Sequence, residues 1–271
     1  LKYNKNLDVV WLDLSGKQSS IYPSGVRVVK YNSLQSVYEL ATAKIWIDDF
    51  RKKYFPPKKK NQKYIQLWHG SVTLKKVEKD IISELDGDYL KEAQRDGGNV
   101  DFMISGNANS TRLYKKKFWL SGKVLEYGTP RLDPIINYNG LKLQSWARIP
   151  GLDDQDHVLL YAPTFRDDTD MAFNIYHLPF EQIKVKLEST FGGTWKILIR
   201  LHPNIIKMQD KLVEEENVIG VSNFPDAQDL ILRSDILITD YSSIMFDAMY
   251  AKKPVLLYVP DLENYNKSRG M

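Results

Sequence analysis

Short apolar runs alternate with stretches of helical periodicity along most of this chain. The runs have the length and β-branched content of buried strands, and they cover residues 7–14, 26–30, 43–47, 64–68, 101–105, 123–127, 158–161, 195–201, 218–221 and 236–238. Apolar positions three and four residues apart predict helices at about residues 34–41, 110–118, 180–190 and 227–233. Alternating strands and helices are typical of parallel sheets, so the pattern predicts an α/β protein with two doubly wound domains.

The clearest unit of this pattern covers residues 235–258. An apolar strand ends at Thr239, a helical stretch follows Ser243, and a second strand starts at Val255. Parallel strands need such a helical crossover. Ser242 and Ser243 stand at the start of the helix, where free N–H groups favour an anion. We interpret them as phosphate ligands; the alternative is that Ser242 only caps the helix.

Two polar stretches interrupt the pattern. Residues 51–60 form a loop, because Pro56 and Pro57 cannot lie in a helix or a central strand. The cations and aromatic rings of this loop could contact anionic lipid headgroups, although a solvated loop is the commoner outcome. Residues 71–98 have no clear assignment, and residues 137–156 read as a linker, which places the domain boundary between residues 140 and 141.

Composition narrows the class of protein. The chain has 271 residues, no cysteine and 43% hydrophobic residues, as expected of a soluble globular protein without disulfides or thiolate-bound metals. No apolar run approaches the roughly 18 residues of a membrane helix, so a cytoplasmic location is expected. Charge is uneven: residues 1–136 carry a net charge of +9 and the remainder −5, giving +4 in all. The basic first half predicts an anionic partner.

Polar side chains follow the ends of several predicted strands. Ligands of open parallel sheets bind beyond the carboxyl ends of the strands, and two facing domains would direct both sets of side chains into one cleft. The residues at these ends are His69, Asn107 and Arg131 from the first half, and Thr164, Arg166, His202, Asp240 and Ser242 from the second. A single histidine after a strand is more often a loop residue than a catalyst, but two at corresponding positions favour a functional role.

Several other kinds of site are disfavoured. The four histidines, His69, His157, His177 and His202, lack metal-ligand spacing, so neither a metal nor a cofactor is expected. P-loop, dinucleotide-binding and nucleophile-elbow motifs are absent from the sequence. The acidic positions 167, 168 and 170 fit a solvated loop better than a cation site. No groove of interleaved aromatics is visible, so no nucleic-acid partner is expected.

A set of short motifs follows in order along the chain, namely residues 66–70 (QLWHG) with Lys75 and Lys76, 127–133 (YGTPRLD), 160–167 (LYAPTFRD), 201–203 (LHP), 238–243 (ITDYSS) and 261–270. In order and spacing, this set resembles the CDP-glycerol glycerophosphotransferase family of teichoic acid and capsule synthesis. The resemblance implies a GT-B-like architecture of two Rossmann-like domains facing a cleft. Residues 1–140 would form the acceptor-side domain without the family's first strand and helix. Residues 141–271 would form a truncated CDP-donor domain.

The resemblance also implies roles for single residues. His69 would be the general base that activates an acceptor hydroxyl, and His202 would be a second catalytic group at the donor diphosphate. Gly70 and Lys75, which stand in or beside the first motif, would lie on the acceptor side, where we also place Asn107 from its position after a predicted strand. The acceptor side would thus include Gly70, Lys75 and Asn107. The donor and phosphate side would consist of Arg131, Thr164, Arg166, Asp240, Ser242 and Ser243.

The implied reaction transfers glycerol phosphate or ribitol phosphate from CDP-glycerol or CDP-ribitol to a teichoic acid or capsule-type acceptor, with release of CMP. The acceptor would be lipid-linked or polymeric and anionic, and the enzyme could be peripheral on the cytoplasmic face of the membrane. Whether it acts as a primase or a polymerase stays open. One alternative is a GT-B glycosyltransferase or nucleotide-sugar epimerase, which would release UDP. Another is a non-catalytic module that binds an anionic polymer with steep salt dependence.

Overall fold

The computed structural model describes residues 4, 6–14, 22–70, 76–140, 143, 146, 149–166, 175–202, 205–206, 209–213 and 217–269. The chain divides into two compact units. The first consists of Leu1–His69 and Val77–Tyr127, and the second of Gly70–Lys76 and Gly128–Met271. The boundary predicted at residue 140 falls within the second unit, and the roles assigned to two domains stay predictions.

The first unit contains parallel strands in two sheets. Strands β1 (Val9–Asp13) and β2 (Val26–Lys30) pair with each other. A four-stranded sheet has the order β3-β4-β5-β6, and its strands are β3 (Ile45–Asp48), β4 (Lys63–Gln66), β5 (Phe102–Ser105) and β6 (Lys123–Glu126). The helices are α1 (Leu34–Thr42), α2 (Gly87–Asn99) and α3 (Ala108–Lys117), and Glu78–Ile81 form a 3₁₀ turn.

Side-chain caps fix where the helices of the first unit begin. The Ser33 hydroxyl accepts a hydrogen bond from the Ser36 amide, and the Ser36 hydroxyl accepts one from the Ser33 amide. The side chains of Asp86 and Asn107 cap α2 and α3 by accepting hydrogen bonds from amides of the first turn, which satisfies N–H groups that have no partner inside a helix. The core beneath these helices is aromatic, and it includes Trp46, Tyr64, Met103, Tyr114 and Phe118.

The second unit is built around a five-stranded parallel sheet of order β11-β10-β7-β8-β9. Its strands are β7 (His157–Ala162), β8 (Trp195–Ile199), β9 (Val218–Gly220), β10 (Ile236–Thr239) and β11 (Val255–Leu257). Its helices are α4 (Asp133–Ile136), α5 (Phe180–Phe191), α6 (Gln209–Leu212), α7 (Ala227–Arg233), α8 (Ile244–Tyr250) and α9 (Leu262–Arg269).

Strand β7 forms the centre of this sheet and contributes to the core on both faces. Leu159 and Tyr161 pack into one apolar cluster, whereas Val158 and Leu160 pack into the other. Burial on both faces is characteristic of parallel sheets covered by helices. The continuous apolar sequence of β7 therefore follows from its central place.

The predicted elements agree with the structure except at some boundaries. Strand β2 and helix α7 have the predicted bounds, and residues 51–60 contain neither helix nor strand. The predicted strand–helix–strand unit is confirmed as β10, α8 and β11, with the two strands parallel. The unassigned stretch 71–98 contains most of α2. Among the described helices, none has both the length and the apolar character needed to cross a bilayer.

Candidate functional site

His69 lies in the first unit, three residues after β4, and its side chain is exposed. The ring nitrogen Nδ1 lies 3.0 Å from the carbonyl oxygen of Asp49. A carbonyl can only accept a hydrogen bond, so Nδ1 carries the proton and donates it. Nε2 is then the basic nitrogen, and it makes no hydrogen bond to any described residue. This arrangement suits a base that takes a proton from an incoming molecule.

The other residues assigned to the acceptor side are Gly70, Lys75 and Asn107. The Asn107 side-chain oxygen accepts a hydrogen bond from the Ser110 amide at 2.9 Å and thereby caps α3. Gly70 belongs to the second unit, directly after His69. Lys75 lies outside the described residues, so its assignment stays a prediction.

Thr164 and Asp240 meet in the second unit, where β7 and β10 end side by side. The carboxylate oxygen Oδ1 of Asp240 accepts hydrogen bonds from the Thr164 amide at 2.8 Å, the Thr164 hydroxyl at 2.5 Å and the Tyr241 amide at 2.7 Å. The other oxygen accepts one from Arg166 at 2.7 Å. Asp240 thus ties together the loops that follow two neighbouring strands.

Arg166 is buried among acidic and aromatic side chains. Its Nε and Nη2 atoms donate to the two carboxylate oxygens of Asp261, at 2.7 and 2.9 Å. The guanidinium also lies 5.5–5.6 Å from the ring centres of Tyr176, Tyr241 and Tyr265. Desolvation acts to lower the pKa of Arg166, but the hydrogen bonds to its two carboxylates outweigh it and raise the pKa. Arg166 is therefore charged, and described residues occupy most of its donors.

Ser242 and Ser243 precede α8 and are half-buried. The Ser242 hydroxyl accepts a long hydrogen bond of 3.4 Å from the Ile244 amide. Ser243 holds the cap position, yet its side chain makes no capping bond and has no hydrogen-bond partner among the described residues. The interpretation of Ser242 as a helix cap accordingly rests on one weak contact, and the Ser243 hydroxyl is available to a ligand.

Arg131 also belongs to the second unit and contacts the same helix. It lies in a 3₁₀ turn, Pro130–Leu132, and forms a salt bridge of 2.6 Å with Asp247 of α8. About a third of the Arg131 side chain remains exposed, whereas Asp247 is buried. The guanidinium thus lies beside the helix that Ser243 precedes.

His202 follows β8, the other neighbour of β7 in the sheet. Its side chain is exposed, and its ring lies 5.5 Å from that of Phe165, centre to centre. The backbone on either side is fixed, because the Leu201 amide donates to the Ser222 hydroxyl and the Ile205 amide to the His202 carbonyl. His202, Thr164 and Asp240 accordingly occupy the carboxyl ends of three adjacent strands, as the strand-end argument predicted.

Comparison with known proteins identifies the family. A family model described as CDP-Glycerol:Poly(glycerophosphate) glycerophosphotransferase matches residues 1–271. The chain belongs to this family. It is 32% identical over 277 residues to a teichoic acid poly(glycerol phosphate) polymerase of Staphylococcus epidermidis, covering 98% of this chain and 38% of the relative. It is also 32% identical to a Bacillus spizizenii protein of the same description, covering 89% of this chain and 63% of the relative.

Solved structures agree with this membership. The wall teichoic acid polymerase TagF superposes with a TM-score of 0.81 at 32% identity, covering 98% of this chain and 66% of TagF. A TagF variant soaked with CDPG gives a TM-score of 0.81 at 31% identity, covering 99% and 67% of the two chains. The predicted α/β, GT-B-like fold class is thereby confirmed. The chain spans 38% and 63% of the lengths of the two polymerases named above.

Sequence reasoning missed several residues of the candidate site. Asp247 and Asp261 hold Arg131 and Arg166, and Tyr241 donates a hydrogen bond to Asp261 at 3.1 Å. Asp261 stands in one of the family-like segments, so a signal for it existed. Asp247 lies inside a helix and 116 residues from Arg131 along the chain, and no sequence pattern pointed to it.

Proposed function

We propose that this chain transfers glycerol phosphate or ribitol phosphate from a CDP-activated donor to a hydroxyl group of a teichoic acid or capsule-type acceptor, releasing CMP. The observation that carries the proposal is the family match over residues 1–271. Relatives described as glycerol-phosphate and ribitol-phosphate primases and polymerases cover most of this chain. Both alditols therefore stay within the proposal.

His69 would act as the general base. Nε2 would take the proton of the acceptor hydroxyl while that oxygen attacks the phosphorus bonded to the alditol. The bond from this phosphorus to the bridging oxygen then breaks, and CMP leaves with both electrons. Imidazole suits this step because its ordinary pKa of about 6.5 lies near neutral pH. Nδ1 keeps its proton and donates it in the hydrogen bond to the Asp49 carbonyl, which fixes which nitrogen reacts.

The donor side would be the set of strand ends in the second unit. Attack on a phosphodiester builds negative charge on the phosphoryl oxygens, which donors and cations stabilise. Ser243, Ser242, Arg131 and His202 have exposed or half-buried polar groups that could supply these contacts. We place Thr164, Arg166 and Asp240 at the same site as its framework, since they hold the two loops together.

The acceptor would be anionic, and Gly70, Lys75 and Asn107 stay proposed for its side of the site. Association with the cytoplasmic face of a membrane is a finer proposal. In residues 51–60, Arg51, Lys52 and Lys58 form ion pairs within the first unit. Only the three other cations of this loop, Lys53, Lys59 and Lys60, are exposed, so they would carry any attraction to lipid headgroups.

The experiment that tests the proposal offers the chain CDP-glycerol, CDP-ribitol and UDP-sugars with a glycerol-phosphate oligomer as acceptor. Released nucleotide is then identified and quantified. Acceptor-dependent CMP release from a CDP-alditol supports the proposal. Release of UDP, or salt-sensitive binding of the oligomer without turnover of any donor, would contradict it.

A further inference from the structure

We propose that Trp68 is a positioning residue for His69: it holds the imidazole ring so that Nδ1 donates a hydrogen bond to the Asp49 carbonyl and Nε2 faces an incoming molecule. The role of the His69 imidazole as a base rests on the proposed function. The positioning itself rests on contacts within the first unit. Three features carry it, namely the backbone of Trp68, the packing of its ring and the contacts of His69.

The backbone of Trp68 has a left-handed conformation, with φ of +56°. A bulky residue rarely adopts this region, and it does so only where the surroundings impose it. The Trp68 amide donates to the side-chain oxygen of Gln66 at 2.9 Å. Gln66 is fully buried, and its amide nitrogen donates to the Phe50 carbonyl at 3.1 Å and to the Tyr64 hydroxyl at 3.0 Å. The strained turn is thus anchored to the strand and to the neighbouring loop.

The indole ring of Trp68 packs against Phe118 and Arg51. The ring of Phe118 meets it edge-on, with centres 4.7 Å apart and planes at 86°. The Arg51 guanidinium lies 5.6 Å from its centre, and Arg51 is itself held by the buried carboxylate of Asp96 at 3.0 Å and by the Phe118 carbonyl at 3.3 Å. A cation between a carboxylate and aromatic faces has a well-defined position. The indole therefore has a fixed orientation.

His69 receives its orientation from this indole. Its ring stacks on Trp68 with centres 4.3 Å apart and planes at 28°, and its Nδ1 reaches the Asp49 carbonyl. Asp49 precedes Phe50 and Arg51, so the same buried network fixes the indole and the carbonyl acceptor. The stack sets the plane of the imidazole and the carbonyl sets its tautomer. An exposed side chain would otherwise sample several rotamers, and a misplacement of about 1 Å can cost a reaction about 100-fold.

Two variants of Trp68 separate the ring from the backbone. Trp68→Asn removes the ring but keeps a residue that tolerates positive φ, whereas Trp68→Phe retains a stacking face. Trp119→Asn is the matched control, because Trp119 is also a tryptophan of the first unit with positive φ, at +50°. Each variant is made in the parent chain and in a His69→Ala chain. The measurements are CMP release, donor KM and the ¹⁵N imidazole spectrum of histidine-labelled protein, with the His69 signals assigned by their loss in His69→Ala.

The proposal predicts that Trp68→Asn lowers turnover by about 10- to 100-fold with an unchanged donor KM. It also predicts no further loss in the His69→Ala chain, since Trp68 acts through His69. The His69 signals should change from a single Nδ1–H tautomer to a mixture. Trp68→Phe should restore most of both properties, and Trp119→Asn should alter neither.

An unchanged tautomer in Trp68→Asn would overturn the proposal, as would an equal loss of turnover in both backgrounds. A chain without transferase activity, or with full activity in His69→Ala, would instead refute the proposed function. In that case the imidazole spectrum alone would still decide whether Trp68 positions His69.

Discussion

The guanidinium of Arg131 covers the buried carboxylate of Asp247, with Nε at 2.8 Å and Nη2 at 2.6 Å from the same oxygen. Only 1% of the Asp247 side chain is exposed, against 33% of that of Arg131. Asp247 lies one helical turn after Ser243. Arg131 can therefore neutralise a buried charge and also present positive charge near the serines, and the two functions can be separated by mutation.

Arg131→Gln should destabilise the chain and weaken donor binding. The substitution leaves the Asp247 carboxylate buried without its cation, which costs on the order of 3 kcal/mol. Adding Asp247→Asn should restore most of the stability, because a neutral amide replaces the charge, but donor affinity should stay low. Urea denaturation and calorimetry with CDP-glycerol measure the two effects. Parent-like donor affinity in the double variant would limit Arg131 to a structural role.

Asp261 links stability to pH through Arg166. The hydrogen bond from Arg166 is the main cause that lowers the pKa of Asp261 in the folded chain. A depressed pKa contributes stability that is present above the unfolded value of about 3.9 and is lost as the pH falls through the folded value. Asp261→Asn should therefore destabilise the chain at pH 7 by about 3 kcal/mol, the usual cost of breaking a buried pair.

The difference between the parent and Asp261→Asn should shrink as the pH falls below about 4, because the carboxylate of the unfolded parent is protonated first and that of the folded parent, with its lowered pKa, only at lower pH. Denaturant unfolding between pH 7 and pH 3 measures this. Asp88→Asn serves as the control, since Asp88 and its partner Lys91 are both largely exposed, and its profile should follow that of the parent. A difference that is independent of pH would show that the ion pair is not its source.

The sequence predicted the strands and the residues at their ends because burial imposes a visible pattern. Apolar runs revealed β7 and β10, and Thr164, His202 and Asp240 follow strands as expected. The partners of these residues were hidden, because Asp247 and Asp261 meet their arginines only through the tertiary fold. The left-handed turn at Trp68 was hidden as well, since it opposes the local preference of tryptophan.

Helix α2 escaped prediction for a different reason. It contains Gly87, Gly97 and Gly98. A glycine inside a helix costs about 1 kcal/mol of helix stability relative to alanine, so these residues lower the helix propensity of the segment. A Cβ atom on Gly97 would lie 2.4 Å from the Phe118 carbonyl oxygen. Close packing against the segment after α3 therefore requires a glycine that local propensity disfavours.

The exposed cations of the loop at residues 51–60 provide a test of membrane association. Replacing Lys53, Lys59 and Lys60 by Gln should weaken binding to vesicles with anionic lipid in low salt, by about 1 kcal/mol per lysine near the surface. Lys58→Gln is the matched control: Lys58 pairs with Asp101, so its loss should affect stability more than vesicle binding. Flotation of labelled vesicles measures the affinity. Equal binding by the triple variant and the parent would refute a membrane role for this loop.

Ser242→Ala combined with Ser243→Ala tests the donor side. The double variant removes two neutral hydroxyl contacts to the proposed diphosphate but keeps the backbone N–H groups. Each lost contact should cost on the order of 1 kcal/mol, and the loss should appear as weaker binding of the CDP-alditol in calorimetry. Ser189→Ala, on an exposed face of α5, is the control. Unchanged donor affinity in the double variant would remove both serines from the proposed site.

The role of His69 as general base is tested most directly by measuring acceptor-dependent CMP release and donor affinity in His69→Ala. If Nε2 of His69 takes the acceptor proton, turnover should fall by about 10²- to 10⁴-fold, while the CDP-alditol should bind as tightly as it does to the parent. His157→Ala is the control, because His157 is a half-buried histidine at the start of β7, away from the strand ends that carry the proposed site. Full turnover in His69→Ala would contradict the assignment of His69 as the general base.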